Sequence, residues 1–567
     1  MGRLVSRCVW VAGWTILATG RAAPADWPTN GFPVAVAPCE ELPTSVVADG
    51  AGGVYVVWTD NRTCSHNDVF VQRLGPKGDI APGWPAQGLP IFPTTGGQGS
   101  AIATSDGEGG LIVVWFDGRT GTTHVMAQRI GPGGSPLWDA AGVRVSDADG
   151  DGAFQILTDG ASGVFVAWRD GRRGLNDGPP HFHRLYDLYA QHLDASGTRL
   201  WAAVGQPVST NVGYFDDLTL VSDGGSGVLI TWADGPAYLQ HLDAAGTAQL
   251  PTNGVAIPGL FLGNAVADGL GGILSAFTYG PDTQEDLYVQ RVDANGAIQL
   301  PLNGVLVASA NYGQRVNDVL ATGDGGAFVT WYDLRNGLDW DVYVQRVTAT
   351  GAAYPGWPAN GLAVAALPGF QIYPRIITDG AGGCVIVWYD ARDAAAGYDI
   401  YAQRIRPDAT LGPLWPVGGA LLCHASGDQT SPLPAPDGSG GALVAWSDYR
   451  DYADVYLQRV TRTGVVGGSG TINVEPPGLP GFALGRPHPN PVGDGRVFVP
   501  VSLAAGPPAQ LSLLDLHGRC VWRRSVEGGA GPFTFELNVP RNVANGVYWL
   551  QLRQAERTQS SRISILR

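Results

Sequence analysis

The chain has 567 residues, a net charge of -15, 15% charged residues, 82 glycines and 41 prolines. Such a length suits one large domain and a small one, and the many turn formers beside 44% hydrophobic residues describe a filled core with tight turns, not a disordered chain. No basic stripe is present to neutralise phosphates, which excludes a nucleic-acid partner.

Residues 1–25 open with Arg3 and Arg7, run apolar from Cys8 to Thr19 and end among Ala22, Ala23 and Ala25. That is the make-up of a secretory signal peptide, too short to span a membrane. No later stretch reaches membrane length, so the expectation is a secreted or outer cell-surface protein with no transmembrane segment after signal cleavage.

From residue 26 to 464 one unit recurs eight times, anchored on Trp58, Trp115, Trp168, Trp232, Phe277, Trp331, Trp388 and Trp446. Each copy opens with D-G-x-G-G or a variant, whose residues tolerate positive φ in a tight hairpin. An apolar run such as Val385-Ile386-Val387-Trp388 follows, and a strand without a polar face must be covered on both sides. Next come a W-x-D-x-R turn in six copies and a strand carrying Gln-Arg or Gln-His, as in Asp399 to Arg404. Trp357-Pro358-Ala359-Asn360-Gly361-Leu362 typifies the last element. Four short strands per repeat, the middle ones doubly buried, describe a β-propeller blade.

That last element also occurs eight times, at Trp27, Trp84, Trp138, Trp201, Leu250, Leu300, Trp357 and Trp415. The first precedes the first core, and the last core has none after it. The expectation is therefore an all-β, eight-bladed β-propeller in which residues 27–37 supply the outer strand of a blade otherwise built from residues 430–464.

Export would leave five cysteines, Cys39, Cys64, Cys384, Cys423 and Cys520, an odd number that cannot be a complete disulfide framework. Cys39 and Cys64 fall on one rim of one blade, where they either form a bridge or serve, like the others, as small fillers.

The set Asp60, Arg62 and Asp68 recurs around the repeats, whereas a catalytic constellation is needed once. An Arg-carboxylate clamp across each hairpin explains it better. His192 and His241 merely replace the arginine of Gln-Arg. Asp147, Asp149 and Asp151 alternate as carboxylates do in Ca2+ loops, although the twelfth position is Thr158 and a solvated turn is the alternative. The longest insertion, Gly171 to Asp187, holds Asp177, His181 and His183. The two histidines alternate on an extended segment and are candidates for a ligand or a metal, without an identifiable third ligand. Asp216 and Asp217 lie in a variable connection, Asn211 to Asp217, comparable with Asn311 to Asp318 and Leu367 to Pro374. These connections and the insertion share one rim, the expected ligand face. H-E-x-x-H, phosphate-binding Gly-rich, C-x-x-C and G-x-S-x-G motifs are all absent.

Residues 465–482 form a Gly/Pro-rich linker. Beyond it, Arg496 to Leu503, Gln510 to Leu516, Cys520 to Val526, Phe533 to Val539, Gly546 to Arg553 and Arg562 to Leu566 read as the strands of a small β-sandwich. Pro489, Asn490 and Pro491, then Asp515, Gly518 and Arg519, then Gly546, Val547 and Tyr548 give residues 483–567 a resemblance to the type A C-terminal sorting domain of the type IX secretion system, an Ig-like fold related to that of the flagellar hook-capping protein. The resemblance implies passage through the type IX secretion machinery across an outer membrane, the domain then often being removed.

The expected function is a binding or structural module for an extracellular glycan or protein ligand. Its rival is an extracellular hydrolase acting on glycans or peptides at the rim. Carboxylates unique to one blade and converging in a rim pocket would favour the rival; a rim with only repeat-equivalent acids favours binding.

Overall fold

The computed structural model describes residues 27–92, 97–119, 121–148, 152–176, 184–257, 263–281, 284–393, 397–467, 483–484, 496–503, 507–515, 519–526, 531–540, 543–555 and 557–565. Every regular element among them is a β-strand, and the chain divides into two compact units, residues 1–470 and 471–567.

In the first unit the described strands form eight four-stranded antiparallel sheets. Seven take their strands in chain order, as in Glu41–Ala48, Val54–Asp60, Asp68–Leu74 and Leu89–Pro90. The hairpin between the first two strands is held by the D-G-x-G-G aspartate: Asp49 Oδ1 accepts from the amides of Ala51 and Gly53, both at 2.8 Å. In the second strand Val54, Tyr55, Val56, Val57 and Trp58 are all fully buried, as a strand sandwiched between neighbouring sheets requires. Burying each such large apolar side chain contributes about 1.5–3 kcal/mol.

The eighth sheet breaks chain order. Phe32–Ala35 pairs antiparallel with Asp454–Val460, placing Phe32 opposite Leu457 and completing a sheet with Ala442–Asp448 and Gln429–Pro436. Side chains fasten this join: Gln458 Nε2 donates to Pro28 O at 2.8 Å, Arg450 to Asn30 O at 3.0 Å, and Asn30 exchanges hydrogen bonds with the backbone of His424. The first strand of each sheet touches that of the next, and Gln429–Pro436 touches Glu41–Ala48, so the contacts run in a closed cycle.

Six of the joins between adjacent sheets are made by the tryptophan of the last element. The indole nitrogen of Trp84 donates to Pro132 O in the next sheet at 3.0 Å, Trp138 to Ala195 O at 2.9 Å, Trp201 to Ala244 O at 3.1 Å, Trp357 to Pro407 O at 2.9 Å and Trp415 to Arg462 O at 2.9 Å. Trp27 does the same for the closing strand, reaching Pro76 O at 3.4 Å. The glycine of N-G-φ is obligatory. Gly361 sits at φ 87° with its α-carbon against the Trp331 ring, so a side chain there would meet both a disfavoured backbone and the indole.

Cys39 and Cys64 are disulfide-bonded with their Cα atoms 5.7 Å apart, while Cys384 and Cys423 are free and buried and Cys520 is free and exposed. The bridge ties the segment leaving the closing strand to the turn after Val54–Asp60.

The variable connections expected as loops are shorter than the sequence suggested. Asn211 lies within the strand Gln206–Gly213, Asp216–Ser222 begins inside the same expected loop, and Gln314–Ala321 and Gln371–Thr378 begin inside the other two. Left-handed residues at these strand starts, Phe215, Asp217 and Tyr373, absorb the irregularity as bulges, so pairing continues through it.

In the second unit a three-stranded sheet, Ala483–Leu484, Arg496–Leu503 and Gly531–Asn538, shares one core with a four-stranded sheet ordered Cys520–Val526, Ala509–Leu514, Gly546–Gln554 and Arg557–Ile565. Alternating Val497, Val499 and Val501 meet Leu511, Leu513, Leu550, Leu552, Ile563 and Ile565 there. The final strand starts at Arg557, five residues before its expected position, because Gln554 pairs directly with Arg557 in a tight hairpin.

Removing residues 27–37 would expose Asp454–Val460 as an unpaired edge. The expected outcome is concentration-dependent association, read by size-exclusion chromatography with light scattering; a monodisperse monomer would contradict this account of closure.

Candidate functional site

The repeated charged residues build scaffold. Asp60 accepts from the Trp58 indole at 2.8 Å and from Arg62 Nε at 2.7 Å, and the Arg62 guanidinium lies 3.9 Å from the Phe70 ring centre and reaches Gln87 O at 3.2 Å. The hydrogen bonds from Arg62 and Trp58 outweigh burial and hold Asp60 below the usual carboxylate range. Arg335, Arg392 and Arg450 repeat this arrangement over Tyr343, Tyr401 and Tyr456. The clamp therefore differs from the expected one. Each arginine grips the aspartate two residues before it and stacks on an aromatic of the facing strand, and it does not bridge to Asp68 or its counterparts. A second set joins the Gln-Arg arginine to the hairpin aspartate, as in Arg404 with Asp379 at 2.6 Å, and His192 and His241 take that role with Asp159 and Asp223.

That geometry leaves a row of second carboxylates, each directly opposite a clamped one: Asp68 opposite Asp60, Asp187 opposite Asp170, Asp341 opposite Asp333, Asp399 opposite Asp390 and Asp454 opposite Asp448. Like charges so placed repel. Four of the five have a partner of their own: His66 for Asp68, Arg173 for Asp187, Asn336 for Asp341 and His424 for Asp399. Burial pushes Asp341 up to about 7, helped by Asp339 and Asp333, and pushes Asp399 up to about 6.

What does not repeat is an aromatic strip on the rim of the sixth and seventh sheets. Trp340 and Tyr332 have ring centres 5.0 Å apart, Tyr332 and Tyr373 5.4 Å, Tyr373 and Tyr389 5.2 Å, and Tyr389 and Tyr398 5.3 Å. At the Trp340 end the Arg315 guanidinium lies 5.6 Å from the indole centre, hydrogen-bonds Tyr332 and meets Glu285 at 3.5 Å. Tyr312, 48% exposed, packs on Gly337. Burial raises the Tyr389 phenol, and the neighbouring phenols of Tyr373, Tyr398 and Tyr332 raise it further.

The positions equivalent to Tyr332 and Tyr389 hold Thr59, Phe116, Arg169, Ala233, Thr278 and Ser447 elsewhere, so the scaffold does not need tyrosine there. Tyr373 argues the same way. It sits at φ 52° and is 47% exposed, and at the same bulge other sheets place Ser100 at φ 49° and Ser431 at φ 54°. A bulky residue in this left-handed region costs on the order of 1 kcal/mol.

The residues singled out from sequence lie elsewhere or outside the described set. Asp216 and Asp217 open the first strand of the fourth sheet; Asp216 is 3.4 Å from Arg169, and burial and Asp216 raise Asp217. Asp147 is ion-paired with Arg199 at 2.6 Å, and that bond lowers it. Asp149, Asp151, Asp177, His181 and His183 fall outside the described residues, as do Pro489, Asn490, Pro491 and Gly518. Among the described residues no three His, Cys, Asp or Glu side chains group to hold a metal ion. Asp515 and Arg519 close a turn, and the Tyr548 hydroxyl donates to Ala544 O at 2.8 Å.

Repeated four-stranded antiparallel sheets in an all-β chain define the class of this protein as a β-propeller. No family model and no curated protein matches the chain. Among solved structures it is similar to PorZ, a bacterial surface component of the type IX secretion system of Porphyromonas gingivalis, at 12% identity and a TM-score of 0.28, covering 93% of this chain and 81% of that one. It is also similar to the β-propeller domain of the Trilobed protease from Pyrococcus furiosus, at 9% identity and a TM-score of 0.35 over 74% of this chain and 95% of that one. A third likeness is to an ulvan lyase of polysaccharide lyase family PL25, at 11% identity and a TM-score of 0.36 over 78% and 97% of the two chains.

Two substitutions separate scaffold from site. Asp390→Ala strips partners from the buried Trp388 indole and from Arg392 and should destabilise by on the order of 3 kcal/mol, whereas Tyr373→Ser should leave the melting temperature unchanged or slightly raised. Differential scanning calorimetry reads both; equal losses would contradict the division.

Proposed function

We propose that this chain is a secreted or cell-surface binding module, an eight-bladed β-propeller followed by a small Ig-like domain, and that its ligand is an extracellular glycan held on the aromatic strip. The observation that carries the reading is the run of five contiguous rings on one rim, absent from the equivalent positions of the other sheets and continuous with Arg315 and Glu285. Tyrosine and tryptophan offer an apolar face and a polar tip, which suits a sugar ring whose faces carry C–H groups and whose edge carries hydroxyls. The eight-blade reading is supported by the eight sheets and their cyclic contacts, and the Ig-like reading by two sheets around one core with Tyr548 tied back to the chain just upstream of its strand. Residues 483–567 serve, in this reading, as a type IX sorting domain, and residues 1–25 as its signal peptide. Ca2+ at Asp147, Asp149 and Asp151, and a ligand at Asp177, His181, His183, Asp216 and Asp217, remain proposals for a secondary site on the third and fourth blades.

The rival, hydrolysis at the same rim, draws on Asp341, a carboxyl pushed up to about 7 beside Trp340, because a general acid near neutral pH needs such a value. Against it, Asp341 is almost fully buried and repeat-equivalent, and Asp339, its blade-specific neighbour, is engaged by the Gly369 amide at 2.7 Å.

A glycan array probed with the full mature chain, read for retention and for cleavage, tests both. Retention without cleavage is expected, with Tyr373→Ser and Trp340→Ala each weakening the retained glycan about tenfold or more. Undiminished retention by both variants would overturn the assignment of the strip, and cleavage lost in Asp341→Asn would favour the hydrolase.

A further inference from the structure

At the start of the first strand of a sheet, the second, sixth, seventh and eighth repeats place a buried glutamine: Gln98, Gln314, Gln371 and Gln429. In Gln98, Gln314 and Gln371 the amide group bonds in both senses, while Gln429 only donates, to Gly427 O at 2.9 Å. Gln371 accepts from the Leu367 amide at 3.1 Å and donates to Gly369 O at 2.7 Å, and Gln314 likewise accepts from Ala310 and donates to Tyr312 O. The first repeat has Glu41 there, fully buried, in the strand that follows the closing segment.

Glu41 accepts from the Ala37 amide at 3.1 Å, matching the accepting half of glutamine. The donating half has no counterpart unless the carboxyl carries a proton. Its Oε1 is buried without a donor, and so is Oδ1 of Asp454, whose carboxyl lies within hydrogen-bonding reach of Glu41. Asp454 belongs to the last sheet and Glu41 to the first, so this carboxyl pair straddles the join where the chain closes on itself. The backbone crosses the join beside it, the Glu41 amide donating to Ala453 O at 2.7 Å.

We propose that Glu41 and Asp454 share one proton and that this proton is a latch on the closed ring, holding the first and last sheets together when bound and loosening the join when lost. The charged groups facing Glu41 support this: Asp60 from the second strand of its own sheet and Asp454 from the last sheet both oppose its ionisation, while Arg62 is already engaged by Asp60. Burial, Asp60 and Asp454 together push Glu41 up to about 7. A carboxyl whose folded value is raised above its unfolded one favours the folded state fully below about 4.5, and that contribution falls away as pH rises to about 7. The latch is thus closed in mildly acidic surroundings and weakened above neutrality.

The test compares the full mature chain with Glu41→Gln, the residue four other repeats already carry. Melting temperature measured from pH 5 to pH 8.5 should fall less with pH in the variant, the two proteins diverging between pH 5 and 7 and staying apart above it. Asp341 and Asp399 titrate in the same window and leave a common background slope, so the difference between the curves isolates Glu41. Amide exchange at Phe32, Val34 and Ala35 should accelerate several-fold from pH 6 to pH 8 in the wild-type chain beyond the intrinsic base-catalysed increase, and not in the variant. Parallel melting curves, or exchange with the same pH dependence in both, would overturn the proposal. Should Glu41→Gln fail to fold, Asp454→Asn supplies the missing donor from the other side and must reduce the pH dependence, while burial and Asp60 still act on Glu41; an unchanged pH dependence would overturn the proposal.

Discussion

Within each sheet the ladder satisfies the backbone; between sheets a few backbone bonds cross at the starts of first strands, as from the Gln371 amide to Trp340 O at 2.7 Å, and side chains add joins that converge on a single backbone carbonyl. Pro132 O accepts from the Trp84 indole and from Arg73 of the preceding sheet, and Ala195 O accepts from Trp138 and Arg129 in the same way. At Pro76 O the two donors are Trp27 and Arg459, from opposite ends of the repeat region. Leu250 and Leu300 replace the tryptophan in two repeats; Arg291 still reaches Ala349 O across the second of these joins.

This explains why so many charged side chains carry no chemistry. Buried aspartates cap hairpins, hold arginines flat against aromatic rings and fix indoles, and they recur because each sheet needs them. Function is left to positions where the repeat is broken. The Tyr332, Tyr373 and Tyr389 strip is one such break, and Glu41 in a glutamine position is another. The first departs from the scaffold on its exposed rim; the second alters the scaffold where it is joined.

Most of the architecture was legible in the sequence because it depends on residues close together in the chain. D-G-x-G-G, the apolar run, W-x-D-x-R and N-G-φ each specify a local structure, and the unpaired copies at the two ends predicted that Phe32–Ala35 would pair with the last sheet. The clamp was misjudged because Asp60 and Asp68 both face Arg62 in the pattern, and only the geometry shows the guanidinium turned toward Asp60 and the Phe70 ring. The aromatic strip was hidden for another reason. Its members are spread over residues 332 to 398 in two sheets and converge only when the sheets are side by side, and Tyr373 reaches them through a left-handed bulge no propensity would assign to tyrosine. The connections Asn311 to Asp318 and Leu367 to Pro374 lie beside the strip, whereas the clustered carboxylates and histidines of the sequence lie in the third and fourth repeats. A position-by-position alignment of the eight copies, asking where an aromatic replaces a small or polar residue, carries the missing signal.

The account stands on a ring fastened by its own leading segment. Native-state hydrogen exchange at mildly acidic pH tests this most directly, following the amides of Phe32, Val34 and Ala35 beside those of Asp454–Val460 as denaturant is raised. The prediction is that both sets are protected and open together in one cooperative step, because the two segments form one sheet. Exchange of the leading segment at unprotected rates while Asp454–Val460 stays closed would show that the ring stands without its fastening, and would contradict the account.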